Sequence, residues 1–308
     1  LGIDDFYKYD LSISLKDLTK IISLVPKLFF YLYKIHSFNH WLNFHKTFYL
    51  AQVLYFKSVY ETYNIKILFH MLDWDPNKFT KSQALELNDG LTMTSHWSNI
   101  PSLENYYRKY SDILFVWSPH FIKNIFNYFS FKKTYSVGYP SDHYFKTLNF
   151  KKKINKNYII GYMDNVYNVD LPYHSTHDKK IYTMLIELTK KYPNLLIYTK
   201  PKVKYLFQKS VKNSLEMQKC INEGILTPFF GSKFNEKMSP AEFSNKCDLV
   251  ISLGISSAGA EASFSGVKSF HYDNMEFENE NEFSFKGNNK IVFNKIELLK
   301  SAIEKEIN

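Results

Sequence analysis

The sequence predicts an α/β protein built on parallel sheets, and three observations predict it. Short apolar runs bounded by turn residues recur at residues 65–71, 113–117, 134–137, 158–163, 195–199, 248–253 and 267–272. Helical, amphipathic stretches separate many of them, the alternation that places helices on the faces of a parallel sheet. The composition, 45% hydrophobic and 22% charged over 308 residues, fits two ordinary globular domains rather than a disordered chain.

Taken in order, residues 15–63 carry long helical apolar faces rich in Phe, Tyr and Leu. The run 65–71 reads as a buried strand ending in a loop. The run 113–117 reads as a second, closed by Ser118-Pro119, and 134–137 as a third, ending at Gly138-Tyr139-Pro140. Residues 141–157 change character: Lys151-Lys152-Lys153 followed by Asn155 and Asn157 reads as a solvated linker. A boundary there gives a first domain over 1–150 and a second over 151–308. The second domain then alternates strand 158–163, helix 179–192, strand 195–199, short helix 242–247, strand 248–253, short helix 260–265, strand 267–272 and closing helix 296–307. That is a doubly wound layout of the kind that binds nucleotides at the carboxyl ends of its strands.

Charge narrows the partners. The formal net charge is +9, yet Arg108 is the only arginine. Base-reading and phosphate-clamping surfaces favour the planar guanidinium, so a nucleic-acid partner is not expected. Coding bias toward AT-rich codons explains the abundance of Lys, Asn, Ile, Phe and Tyr; a basic face for anionic substrates or lipid head groups is the other reading. The two cysteines, Cys220 and Cys247, have no metal-ligand spacing and fit a reduced cytoplasmic compartment. Residues 21–33 are apolar but interrupted by Pro26 and Lys27 and too short to span a bilayer, which leaves a partly buried helix or peripheral contact with the inner membrane face. The chain opens on Leu1, as a segment of a longer protein would, and no secretory signal is evident at that end.

The strongest local signal is a buried strand running into Gly254-Ile255-Ser256-Ser257-Ala258-Gly259-Ala260-Glu261-Ala262, followed by Gly266-Val267-Lys268. Gly254, Ser256, Ser257 and Gly259 keep side chains small, so backbone amides can approach a phosphate. The helix start adds unpaired N–H groups and partial positive charge. Ser256 and Ser257 can cap the helix or donate to phosphate oxygens. Glu261, placed by the sequence in the first turn, suits a pair of ribose hydroxyls, or else simply complements the helix dipole.

Those residues are similar to the donor-site turn and helix of GT-B glycosyltransferases, especially bacterial surface-carbohydrate and capsule biosynthesis proteins. Further stretches carry the resemblance in order: Val137-Gly138-Tyr139-Pro140, Ile160-Gly161-Tyr162-Met163-Asp164, Lys200-Pro201-Lys202 and Lys290-Ile291-Val292-Phe293. It spans residue 113 to the end, and the earlier part matches loosely. The resemblance implies two Rossmann-like domains facing each other across a cleft, with a first domain that looks short or incomplete. The acceptor glycan would bind the first domain and a nucleotide-sugar, a co-substrate rather than a cofactor, the second. Gly161 and Asp164 would lie by donor phosphate or sugar, and Lys200 and Lys202 would offset charge on the leaving nucleotide.

Transfer without a metal needs a base for the acceptor hydroxyl. Candidates are His70 and Asp73 after the first strand, and His96 in Thr94-Ser95-His96-Trp97-Ser98. Asp73-Trp74-Asp75 matches a metal-holding Asp-x-Asp, but Pro76 suits an ordinary turn; His174, His177 and Asp178 make no convincing metal cluster either, so no metal is expected. His271 and Asp273 follow a strand at the end where cleft residues gather. No His-Pro dipeptide of the type in some sialyl- and Kdo-transferases occurs, so a CMP-sugar donor is not specified. The expected function is sugar transfer from a nucleotide-sugar to a surface-polysaccharide acceptor. The alternatives are a polyol-phosphate transferase or sugar epimerase of the same build, or a non-catalytic assembly protein.

Overall fold

The computed structural model describes residues 15–70, 77–95, 110–119, 130–140, 157–165, 175–230, 238–274 and 290–308, with positions 122, 142 and 145. The chain divides into two compact units, one of Leu1–Trp97 and Leu103–Tyr139, the other of Ser98–Ser102 and Pro140–Asn308. The division after Tyr139 falls ahead of the lysine run at 151–153, which lies outside the described residues.

In the first unit the long helical region is two helices, α1 (Leu15–Tyr33) and α2 (Phe38–Thr62). Ser37 ends the break between them by capping α2, accepting from the amide of His40. A parallel sheet in the order β1-β2-β3-β4 follows, from β1 (Ile67–His70), β2 (Leu91–Ser95), β3 (Tyr110–Val116) and β4 (Ser130–Ser136), with α3 (Lys78–Glu86) between the first two. Neither β2 nor α3 was expected from the sequence. The reason for β2 is chemical: its buried side chains are Thr92 and Thr94, not its apolar ones. Asp112 on β3 accepts from the Thr92 amide at 2.8 Å and hydroxyl at 2.9 Å, and pairs with Lys132 at 2.6 Å. Burial works against its charge, but these partners prevail and hold the carboxyl below its usual range. The apolar core of this unit gathers Val53, Tyr60, Ala84 and Leu85.

The second unit contains, in chain order, β5 (Tyr158–Met163), α4 (Ser175–Lys191), β6 (Leu195–Lys200), α5 (Lys204–Lys212), α6 (Leu215–Asn222), β7 (Leu226–Pro228), α7 (Pro240–Ser244), β8 (Leu249–Leu253), α8 (Ser257–Phe264), β9 (Lys268–Tyr272), β10 (Val292–Phe293) and α9 (Ile296–Ile307). Its strands are all parallel, in the order β10-β9-β8-β5-β6-β7. The chain therefore steps outward from β5 to β7, returns to the other side of β5, and steps outward again. That is the doubly wound Rossmann order, with its reversal between β5 and β8. Every residue of β8 is buried, as expected of a central strand covered on both faces. The core packs Ile160, Tyr162, Leu185, Ile197, Leu249 and Ile251 together with Leu299 and Ile303 of α9.

Element bounds differ from the sequence reading in several places. α7 begins at Pro240, two residues early, because Ser239 and Glu242 form a reciprocal capping box with proline at the first helical position. α8 begins at Ser257 rather than at 260, since Ser256 supplies its N-cap. Residues 204–228 hold two further helices and the edge strand β7, none of them expected from the sequence.

Candidate functional site

In a doubly wound sheet, ligands bind outside the carboxyl ends of the strands where the strand order reverses. Register fixes what gathers there. Met163 at the end of β5 pairs with Ser252 of β8 and with Lys200 of β6. Three segments consequently leave the sheet side by side: Asp164-Asn165, Gly254-Ile255-Ser256 and Pro201-Lys202.

The turn after β8 is held from several sides. Gly254 has φ of +70°, a conformation that suits glycine, and its amide donates to the Tyr272 carbonyl at 2.8 Å. The Ser252 hydroxyl donates to the Gly254 carbonyl at 2.8 Å and lies 2.7 Å from Nδ1 of His271. With its single proton directed at Gly254, Ser252 accepts from Nδ1–H of His271. Burial pulls the His271 imidazole down to about 4, against the opposing influence of a backbone bond to Gly254, so the ring is neutral at physiological pH. His271 thus braces the turn from inside. It was expected among cleft residues; the strand instead points it into the core, 3% exposed.

The turn presents the head of α8. Ser256 accepts from the Gly259 amide at 3.2 Å, so of the two roles open to it the cap is the one observed. Residues 249–255 and 259–262 are buried, whereas Ser256, Ser257 and Ala258 are half-buried. From Leu249 to Ala262 solvent reaches only the helix head, where the dipole is positive and first-turn amides point outward; the other end of α8, Ser263 and Phe264, is exposed at the far end of the helix.

Two glycines have other duties than those expected. A Cβ on Gly259 would lie 2.4 Å from Ser252 Oγ and 2.8 Å from His271 Cε1, so this glycine lets α8 seat on β8 and β9. A Cβ on Gly161 would meet Cys247 Sγ at 2.6 Å and Phe243 Cε1 at 2.9 Å; Gly161 sits inside β5 as a packing residue. Glu261 is the fifth residue of α8, past the first turn where the sequence placed it. It is buried, and Oε1 accepts from the Ala241 amide at 3.1 Å, tying α8 to the start of α7.

The acidic and basic residues at the same edge form one group. Asp164 is 6% exposed and accepts from the Lys202 amide at 2.5 Å. Lys202 reaches Asn165 Oδ1 at 3.2 Å through its ammonium. Burial pushes the Asp164 carboxyl up to about 7; the Lys202 amide and the charges of Lys202 and Lys200 work in the opposite direction, and the Asp178 carboxylate adds to the rise. Asp178, on α4, accepts from the Tyr162 hydroxyl at 2.5 Å. Nothing in the sequence signals the Tyr162–Asp178 pair, because a strand tyrosine and an acid in the first turn of a helix each have ordinary explanations.

In the first unit, His70 ends β1, buried, beside Thr94 in the parallel register. Asp73, Asp75, His96 and His174 lie outside the described residues. Asp273 is buried at the end of β9, its amide donating to Phe293. Among the described residues no three of His, Cys, Asp and Glu are grouped to hold a metal ion.

No protein-family model matches the sequence, and no curated protein matches it. Solved structures do. The UDP-GlcNAc 2-epimerase of Methanocaldococcus jannaschii is 12% identical with a TM-score of 0.56, over 86% of this chain and 76% of that one. S. aureus MnaA, determined with UDP, is 10% identical with a TM-score of 0.56, over 84% and 70%. The α,α-trehalose 6-phosphate synthase of Burkholderia multivorans is 10% identical with a TM-score of 0.51, over 88% and 70%. The fold is GT-B, mixed α/β with parallel sheets, as the sequence predicts.

Proposed function

We propose that this chain is a nucleotide-sugar-dependent glycosyltransferase whose donor binds at the β5/β8 reversal. One observation carries the reading: at the β5/β8 reversal, where doubly wound folds bind ligands, the half-buried residues 256–258 put the head of α8 within reach of solvent while the strand before them is buried. The donor's phosphates sit on that head, with Ser256 and Ser257 at the rim. Lys200 and Lys202 offset the charge that grows on the leaving nucleotide. Asp164 beside them carries a proton for part of the time near neutrality, which removes the repulsion a fixed carboxylate would exert on phosphate. His70 at the end of β1, together with Asp73 and His96, remains the candidate set for the base that takes the acceptor proton. The acceptor we assign is a surface polysaccharide such as capsule or O-antigen, on the resemblance of the motifs. Transfer proceeds without a metal.

A second reading, sugar epimerisation, has one observation in its favour: the similarity in fold to a UDP-GlcNAc 2-epimerase. Thermal-shift screening with UDP-, GDP-, CMP- and CDP-linked sugars, followed by NMR of the products, tests both. Stabilisation by a nucleotide-sugar, with sugar release or transfer, supports the first reading. A sugar inverted at carbon while still nucleotide-linked supports the second. No stabilisation by any nucleotide overturns both and favours an assembly role.

A further inference from the structure

The hairpin of α1 and α2 has a surface that donor binding does not use. Between Asp17 and Glu61 the sequence contains no carboxylate, but it contains five lysines and three histidines; Lys20 and Lys57 pair with Asp17 and Glu61 at its ends, and the stretch around the turn holds Lys27, Lys34 and Lys46. The same stretch exposes large apolar side chains near the turn between the helices: Phe29 is 67% exposed, Tyr33 83%, Phe38 71% and Trp41 46%. Phe38 stacks on Trp41 with ring centroids 5.7 Å apart, and Lys34 lies 4.6 Å over the Phe30 ring. Leaving such rings in water has no folding benefit, and exposed patches of this kind mark interaction sites.

We infer that the α1–α2 turn docks on an anionic lipid surface. Charge selects this occupant. A second copy would bring cation against cation, whereas anionic head groups complement a segment without acids. The chemistry of the side chains agrees: tryptophan and tyrosine combine an apolar body with a polar tip, and lysine stems extend across apolar ground to reach head groups. Among the described residues no helix is long and apolar enough to cross a membrane, so the hairpin lies on the surface rather than spanning it.

The test uses the full chain with phosphatidylcholine vesicles, with and without phosphatidylglycerol, and reads sedimentation and Trp41 quenching by brominated lipid. Binding is expected only to the anionic vesicles. Replacing Lys27 and Lys34 by Gln together weakens it about 25-fold, at roughly fivefold per lysine. Phe29→Ser with Trp41→Ser abolishes it, while the thermal melt stays that of the parent, because these side chains are exposed. Lys190→Gln, on α4, leaves binding unchanged. Equal binding to neutral vesicles, or full binding by the double lysine variant, overturns the inference. So does concentration-dependent self-association of the parent chain that Phe29→Ser removes, since a second copy would then occupy the surface.

Discussion

Asp164→Asn offers a direct reading of the acid at the β5 edge. The carboxyl stands at about 7 against an ordinary 3.8, so the folded unit holds this proton about three pH units more tightly than the unfolded chain. At 1.36 kcal/mol per unit that is about 4 kcal/mol. The sign follows from proton binding: between pH 4 and 7 the native state carries the proton and the unfolded chain does not, so stability falls as pH rises through this window. Below it the contribution is fully present; above it the loss is complete. Asparagine cannot ionise, yet its Oδ1 can still accept from the Lys202 amide. The variant should therefore match the parent near pH 4 and exceed it at pH 8 by up to about 4 kcal/mol, roughly 8–16 °C in Tm for a unit of this size. Thermal melts of parent and variant across pH 4 to 8, followed by near-UV circular dichroism, measure the difference. Parallel pH profiles would show that Asp164 is solvated and ordinary, and would refute the reasoning. If the edge serves donor binding, the uncharged variant keeps nucleotide affinity near pH 7 and loses less of it than the parent as pH rises to 8, because no carboxylate forms beside the phosphates.

Ser257→Asp places a carboxylate at the first residue of α8, where it suits the dipole but repels phosphate; nucleotide affinity should fall at least tenfold with Tm unchanged or raised, by calorimetry and melting. Gly259→Ala forces a Cβ against Ser252 and His271 and should cost about 1–3 kcal/mol in chemical denaturation. Glu261→Ala leaves the Ala241 amide without its acceptor and should cost about 1–3 kcal/mol, most of it restored in Glu261→Gln. A full-sized loss in the glutamine variant would show that charge, not hydrogen bonding, is what Glu261 supplies.

The second unit was largely legible because its central strands are mainly apolar: residues 249–253, apolar but for Ser252, are all buried and stand out in any window. In the first unit β2 was not, since burial of Thr92 and Thr94 inverts the pattern by which strands are recognised. The start of α7 is written in the sequence as Ser239-Pro240 with Glu242 three positions after the cap. At the site, small residues announced the turn correctly, but not which side each faced. Sequence alone treats Gly161 and Gly259 as openings for a ligand; in three dimensions neighbouring helices or strands fill both openings. Asp164 was found by its place in a motif, while Tyr162 and Asp178, which share its surroundings, meet only through folding.

The strand order has a mechanical side. The strands β5-β6-β7 and β8-β9-β10 form two halves of one sheet that share one ladder, β5 against β8, and α4 is tied to α9 across the same joint by the Lys191–Glu304 and Lys300–Glu187 pairs. Any molecule resting on both Asp164 and the α8 head straddles that ladder and acts as a staple across the joint. Occupancy should then slow amide exchange at 160–163 and 249–252 together, so that the halves open as one body instead of two.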